Sequence, residues 1–195
     1  MANLTTLAEY KEAEGINAPK EDARIDVLVP AVSQLVKTYC GNSIVDFYST
    51  NKSEIISINW DTYAIQLTES PVNTIVSVSE RSSYAESYVA LTTAAHEYFL
   101  DTTTDSLIRT NTTGYRNWPK GVGAVQVVYT AGYATVPEDL KLAVFDLITY
   151  YLKDEHKERR VLAGASIQNQ STTSMRNNVA FPDHIKRVLD LYKNF

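Results

Sequence analysis

The stretch Val127-Val128-Tyr129-Thr130-Ala131-Gly132-Tyr133-Ala134-Thr135-Val136-Pro137-Glu138-Asp139-Leu140-Lys141-Leu142-Ala143 changes its period midway, and the change divides the chain. Up to Ala131 it is rich in strand formers. Gly132 then lets the backbone turn, and Pro137 suits a first helical turn, where a missing N–H costs nothing. Glu138 and Asp139 lie beside the positive end of the helix dipole. Beyond them Leu140, Ala143, Val144, Leu147, Ile148 and Tyr151 recur every three or four residues, which predicts an amphipathic helix becoming charged or polar at Lys153 to Arg160.

Upstream of this junction, from about Ile44, the chain consists of short alternating runs. Gly123 to Tyr129 reads as the strongest strand, and Val72 to Val78 alternates well enough to be half-buried. Ile55 to Ile58 is expected to meet Tyr63 to Leu67 across Asn59-Trp60-Asp61-Thr62. Tyr98 to Asp101 and Leu107 to Thr110 flank a hairpin turn. Asn111 to Gly121 reads as a long turn pinned by Tyr115 and Trp118.

The ends are helical. Thr6-Leu7-Ala8-Glu9 has capping-box spacing and Gly15 offers a left-handed stop, so a helix is predicted from about Leu7 to Glu14. Ile25, Leu28, Val29, Val32, Leu35, Val36 and Tyr39 form one stripe ending before Gly41. Pro30 inside it removes a backbone hydrogen bond and predicts a kink or two helices in series. Pro182 opens a last helix in which Ile185, Val188, Leu189 and Tyr192 share a face. The polar stretch 164–178 has too little apolar content to order itself by burial and reads as a flexible arm that orders on contact. The fold class is therefore α+β: a small bundle of three to four N- and C-terminal helices with an inserted antiparallel β-rich lobe. In this division a single domain, 1–195, has its helical core in 1–43 and 136–195 and its insertion in 44–135.

The 195 residues, 44% hydrophobic, suffice for one domain with a core or one domain with an inserted lobe. The net charge of −5, from 18 basic and 23 acidic residues, argues against a protein that grips nucleic acid by neutralising phosphates. It leaves room for one that DNA passes without sticking. The single cysteine, Cys40, forms no intrachain disulfide and sits in an apolar helical register. The first residues lack the pattern of a secretory signal, and no window approaches the roughly 18 apolar residues of a membrane span. The chain reads as soluble and staying where it is made.

Catalytic chemistry has little to work with. His156, one of three histidines, lies in Asp154-Glu155-His156-Lys157-Glu158, but on a helix it points about 200° away from Asp154. A solvated helix end is the simpler reading. His96 and His184 have no nucleophile motif beside them, and no Gly-x-Ser-x-Gly occurs. Gly121-Val122-Gly123 leads into a strand, not a phosphate-binding helix N-terminus. No metal, cofactor or catalytic residue is assigned. Tyrosine is abundant, 13 against five Phe and two Trp, as suits half-buried positions and subunit interfaces.

The phrase Tyr129-Thr130-Ala131-Gly132-Tyr133 followed by Val136-Pro137-Glu138-Asp139-Leu140 resembles the strand-to-helix junction of the head-to-tail connector proteins of long-tailed bacteriophages, also called adaptor or head completion proteins. Leu67-Thr68-Glu69-Ser70-Pro71-Val72, Glu97 to Asp101 and Leu107 to Arg109 resemble the same family in the same order. Pro30 and the larger middle lobe, 44–113, depart from its shortest members. The resemblance implies a ring of about twelve copies in the virion neck, made in the bacterial host cytoplasm. The ring would lie between the portal and a tail terminator, stopper or other neck protein, around a DNA channel. It implies a portal contact through the arm and the helix carrying Ile185, Val188, Leu189 and Tyr192. An acidic channel wall would be sought among Asp139, Asp146, Asp154, Glu155 and Glu158. Tyr129, Gly132, Tyr133 and Pro137 mark the junction. A different class of reading makes the β-lobe a carbohydrate- or protein-binding module acting through Tyr63, Tyr84, Tyr88, Tyr115 and Trp118.

Overall fold

The computed structural model describes residues 1–153 and 181–193. The chain is α+β and divides into two compact units, one from Met1–Asn42 with Val136–Lys193, the other from Ser43–Thr135.

The first unit is helical. Helix α1, Leu7–Glu14, is closed by a full capping box: the Thr6 hydroxyl accepts from the Glu9 N–H while the Glu9 carboxylate accepts from the Thr6 N–H. Gly15 ends it in the left-handed conformation. Helix α2, Asp22–Cys40, follows a single 3-10 turn at Pro19–Glu21 and runs unbroken through Pro30. The predicted break is absent because Pro30 and Asp26, whose carbonyl loses its donor, both face solvent, where water takes over the bond. The opposite side buries Ile25, Val29, Val32 and Val36. Helix α3, Glu138–Leu152, buries Leu140, Ala143, Val144, Leu147 and Ile148, as its stripe requires. Helix α4, Asp183–Asp190, buries Ile185 and Leu189. Each such fully buried aliphatic side chain contributes about 1.5–3 kcal/mol.

The second unit is antiparallel sheet. One sheet has the order β1 (Lys52–Ile58), β8 (Gly121–Ala131), β3 (Val72–Glu80), β4 (Val89–Leu91). The other has the order β2 (Ala64–Gln66), β6 (Ser106–Asn111), β5 (Tyr98–Asp101), with β7 (Gly114–Tyr115) also paired to β6. Strand β8 is central: Val125, Val127, Tyr129 and Ala131 alternate into a core shared with Val78, Leu107 and Trp118. The β5–β6 hairpin forms as its pattern predicts. The expected pairing of Ile55–Ile58 with Tyr63–Leu67 does not. β1 pairs with β8 and β2 with β6, because each run buries its apolar residues against a different sheet.

Candidate functional site

At the junction, β8 ends against the loop that enters the lobe. The N–H of Ala131 donates to Phe47 O, that of Gly132 to Pro71 O, and that of Tyr133 to Ile44 O. Asn73 Nδ2 donates to Gly132 O at 2.8 Å. Gly132 has φ +94, and a Cβ there would sit 2.2 Å from Ile44 O, so only glycine fits this close passage. Three residues before it in the strand is Tyr129, fully buried, whose hydroxyl donates to Glu54 Oε2 at 2.8 Å. The Glu69 N–H donates to the same hydroxyl. Burial and the Glu54 carboxylate raise the Tyr129 pKa above the ordinary phenol value. Glu69, itself buried, accepts from Lys52 Nζ at 2.8 Å and from both Ser43 N–H and its hydroxyl. Pro137 caps α3 with an extended backbone.

The last helix has both an inward and an outward side. Ile185 and Leu189, two of the four residues offered to a portal, are buried within the helical unit, since an amphipathic helix of two turns must spend its apolar stripe on docking itself. Val188 and Tyr192 are half-buried. Two tyrosine–aspartate bonds strap α4 down: Tyr39 to Asp190 at 2.6 Å and Tyr192 to Asp139. Burial first, then Asp190, pushes the Tyr39 pKa up to about 12. Cys40 Sγ points to Leu189 O, and burial pushes its thiol up to about 12, which makes it an inert packing residue. Asp139 and Asp146 lie two turns apart on α3 and share a face along α4, with His184 Nε2 at 4.0 Å from Asp146. Asp154, Glu155, Glu158, His156 and the arm 164–178 lie outside the described residues.

On the lobe the aromatic residues sort into two groups. Trp118 is 2% exposed and packs in the core, with the Arg109 guanidinium 5.8 Å from its ring, so it leaves the set of surface aromatics. Tyr63 and Tyr115 are exposed, with ring centroids 4.8 Å apart and planes tilted by 45°. Tyr84 and Tyr88 flank the Arg81 guanidinium, which donates to the carbonyls of Val122 and Gly123. A deeply buried ion pair is bidentate, Arg109 Nε and Nη2 each 2.9 Å from Glu80, linking β6 to β3. Sequence spacing hides this pair, and also Trp60 and Val122, both exposed beside a cleft of about 450 Å³ lined by Ser57, Ile58 and Lys120. Among the described residues no group of three or more His, Cys, Asp or Glu side chains could hold a metal ion.

The model of a head completion protein family matches residues 3–195. The chain belongs to the head completion protein family. One relative in it, the head completion protein of Escherichia phage T5, is 20% identical over 198 residues, spanning 97% of this chain and 98% of that protein. This family member also shares its fold with a chain in the neck of an empty gene transfer agent particle computed with C6 symmetry, at TM-score 0.57 and 17% identity, covering 98% and 90% of the two chains. A chain in the neck of the native particle, computed with C12 symmetry, gives 0.57 and 16% identity over 100% and 94%. One in the virion of the native particle gives 0.60 and 17% over 98% and 90%.

Proposed function

We propose that this protein is a structural, non-catalytic component of a phage virion, forming a ring of about twelve copies in the neck. The observation that carries the reading is the family match over residues 3–195. The shared fold with chains in necks of C6 and C12 symmetry supports the ring, because a twelvefold ring contains the sixfold one. The portal lies on one side of the ring and a tail terminator, stopper or other neck protein on the other. The helical core, 1–43 and 136–195, carries the insertion 44–135 as one connector domain.

The portal contact falls to α4 and the arm, with Val188 and Tyr192 nearest the surface and Ile185 and Leu189 holding the helix in place. The acidic face bearing Asp139 and Asp146 turns to the channel, where carboxylates let DNA slide and basic groups would hold it. Mass photometry of the protein alone and mixed with its portal tests this. Ring-sized particles or portal-bound complexes are expected, and a protein that stays monomeric and ignores portal contradicts it.

A second reading rests on the exposed, tilted Tyr63–Tyr115 pair, an aromatic patch that could take sugar rings or apolar side chains. Replacing both tyrosines by Ala separates the two. A neck ring keeps forming, whereas a recognition module loses its glycan or protein ligand on an array.

A further inference from the structure

Among the described residues the lobe has two sheet edges without a partner strand: β1 pairs only with β8, and β4 only with β3, at the two ends of the four-stranded sheet. Among the described residues no backbone hydrogen bond from outside the sheet reaches Lys52–Ile58 or Val89–Leu91. Open edges are normally blunted by charges, proline, bulges or short length. β4 is short, with three residues. β1 has seven, and its charged side chains are turned elsewhere: Lys52 binds Glu69, and Glu54 accepts from Tyr129 and from the Thr68 N–H. Ile55 and Ile56 remain as a short apolar, β-branched stretch of edge, with Ile55 60% exposed, ahead of the register irregularity between Ile56 and Ile58 that closes the strand.

The registers place the two edges on common rows. Ile55 pairs with Gln126, Gln126 with Ser79, and Ser79 with Ala90. All three pairings are antiparallel, so β4 runs opposite to β1. Neighbouring copies in a large cyclic ring differ by a small rotation and keep their strand sense. A second copy would therefore bring its β4 antiparallel to β1, the favoured pairing. A closed ring also needs two different patches on each copy that fit one another, and the two edges of one sheet meet that need.

We propose that β1 of each copy pairs with β4 of the next, with Ile55 facing the neighbour's Ala90, so that the lobe sheets join edge to edge around the ring. This rests on the ring reading above. Main-chain ladder bonds supply the affinity, with Ile55 beside the neighbour's Ala90 on one face and Ile56 beside the neighbour's exposed Val89 on the other.

Disulfide trapping in the full-length protein tests it. Ala90→Cys is combined in turn with Ser53→Cys, Ile55→Cys and Ser57→Cys, three exposed positions on one face of β1 that cover registers staggered by two residues. The buried Cys40 stays out of the reaction. Rings are assembled, with portal if needed, oxidised and run on a denaturing gel. At least one combination should shift the protein from the monomer band to a ladder of dimers, trimers and longer multimers, while each single variant gives at most a dimer. Ile55→Lys, which keeps the fold by circular dichroism, should shift the population from ring to monomer. Rings that form normally but yield no ladder from any combination overturn the edge pairing and leave the neck reading standing. The absence of any ring or portal complex in the parent protein overturns both.

Discussion

Gly132 carries the sharpest constraint on a single residue. Its positive φ and the carbonyl of Ile44 against its Cα leave no room for a methyl group. Gly132→Ala is expected to cost about 2 kcal/mol or more, read as a lower urea midpoint with unchanged slope. The turn was legible in the sequence because glycine followed a strand and preceded a proline-led helix. Arg109 was not: its partner Glu80 lies 29 residues away, and nothing local marks an arginine that will be 1% exposed. Arg109→Met leaves the Glu80 carboxylate half-stripped of water and unpaired. A loss of about 3 kcal/mol is expected by denaturant unfolding, and adding Glu80→Gln should restore part of it.

Among the elements, α2 and α4 make opposite uses of an awkward sequence. α2 tolerates Pro30 because the ring and the orphaned Asp26 carbonyl face water, so Pro30→Ala should stabilise the protein, by up to about 3 kcal/mol, seen as a raised melting temperature. α4 is only eight residues and depends on Ile185, Leu189 and its tyrosine straps. Tyr39→Phe should cost about 1 kcal/mol. The same strap gives a pH dependence. The Tyr39 phenol has its pKa raised to about 12 in the folded state, against about 10 when unfolded. Its contribution is therefore complete below about pH 10 and is lost as pH rises through about 12. Stability measured from pH 9 to 12 should fall less steeply in Tyr39→Phe than in the parent. Helices and the β5–β6 hairpin were legible because their partners or caps lie close in sequence. The partner of β1 was not, since antiparallel pairing between residues far apart in sequence, as of Lys52 with Tyr129 and Ile58 with Gly121, is chosen by the whole core rather than by the turn Asn59-Trp60-Asp61-Thr62. The buried half of the last helix stripe was hidden for a related reason: periodicity identifies an apolar face but not whether it meets its own chain or another.

For the whole molecule, the chain belongs to the head completion protein family, and the neck role proposed for it needs no reactive centre. The net charge of −5 suits the proposed wall that DNA passes, and the proposed ring rests on the family match, the phage T5 relative and the fold shared with chains in gene transfer agent necks. In the proposed ring the residues that matter most are those that keep copies in register, which sets the β1 and β4 edges ahead of the histidines. The most direct measurement is an electron-microscopy reconstruction of the full-length protein bound to its portal. The account predicts a closed ring of about twelve copies seated on the portal, with α4 toward it and Asp139 and Asp146 lining the channel. A monomer bound off the symmetry axis, or no density on the portal at all, would contradict it.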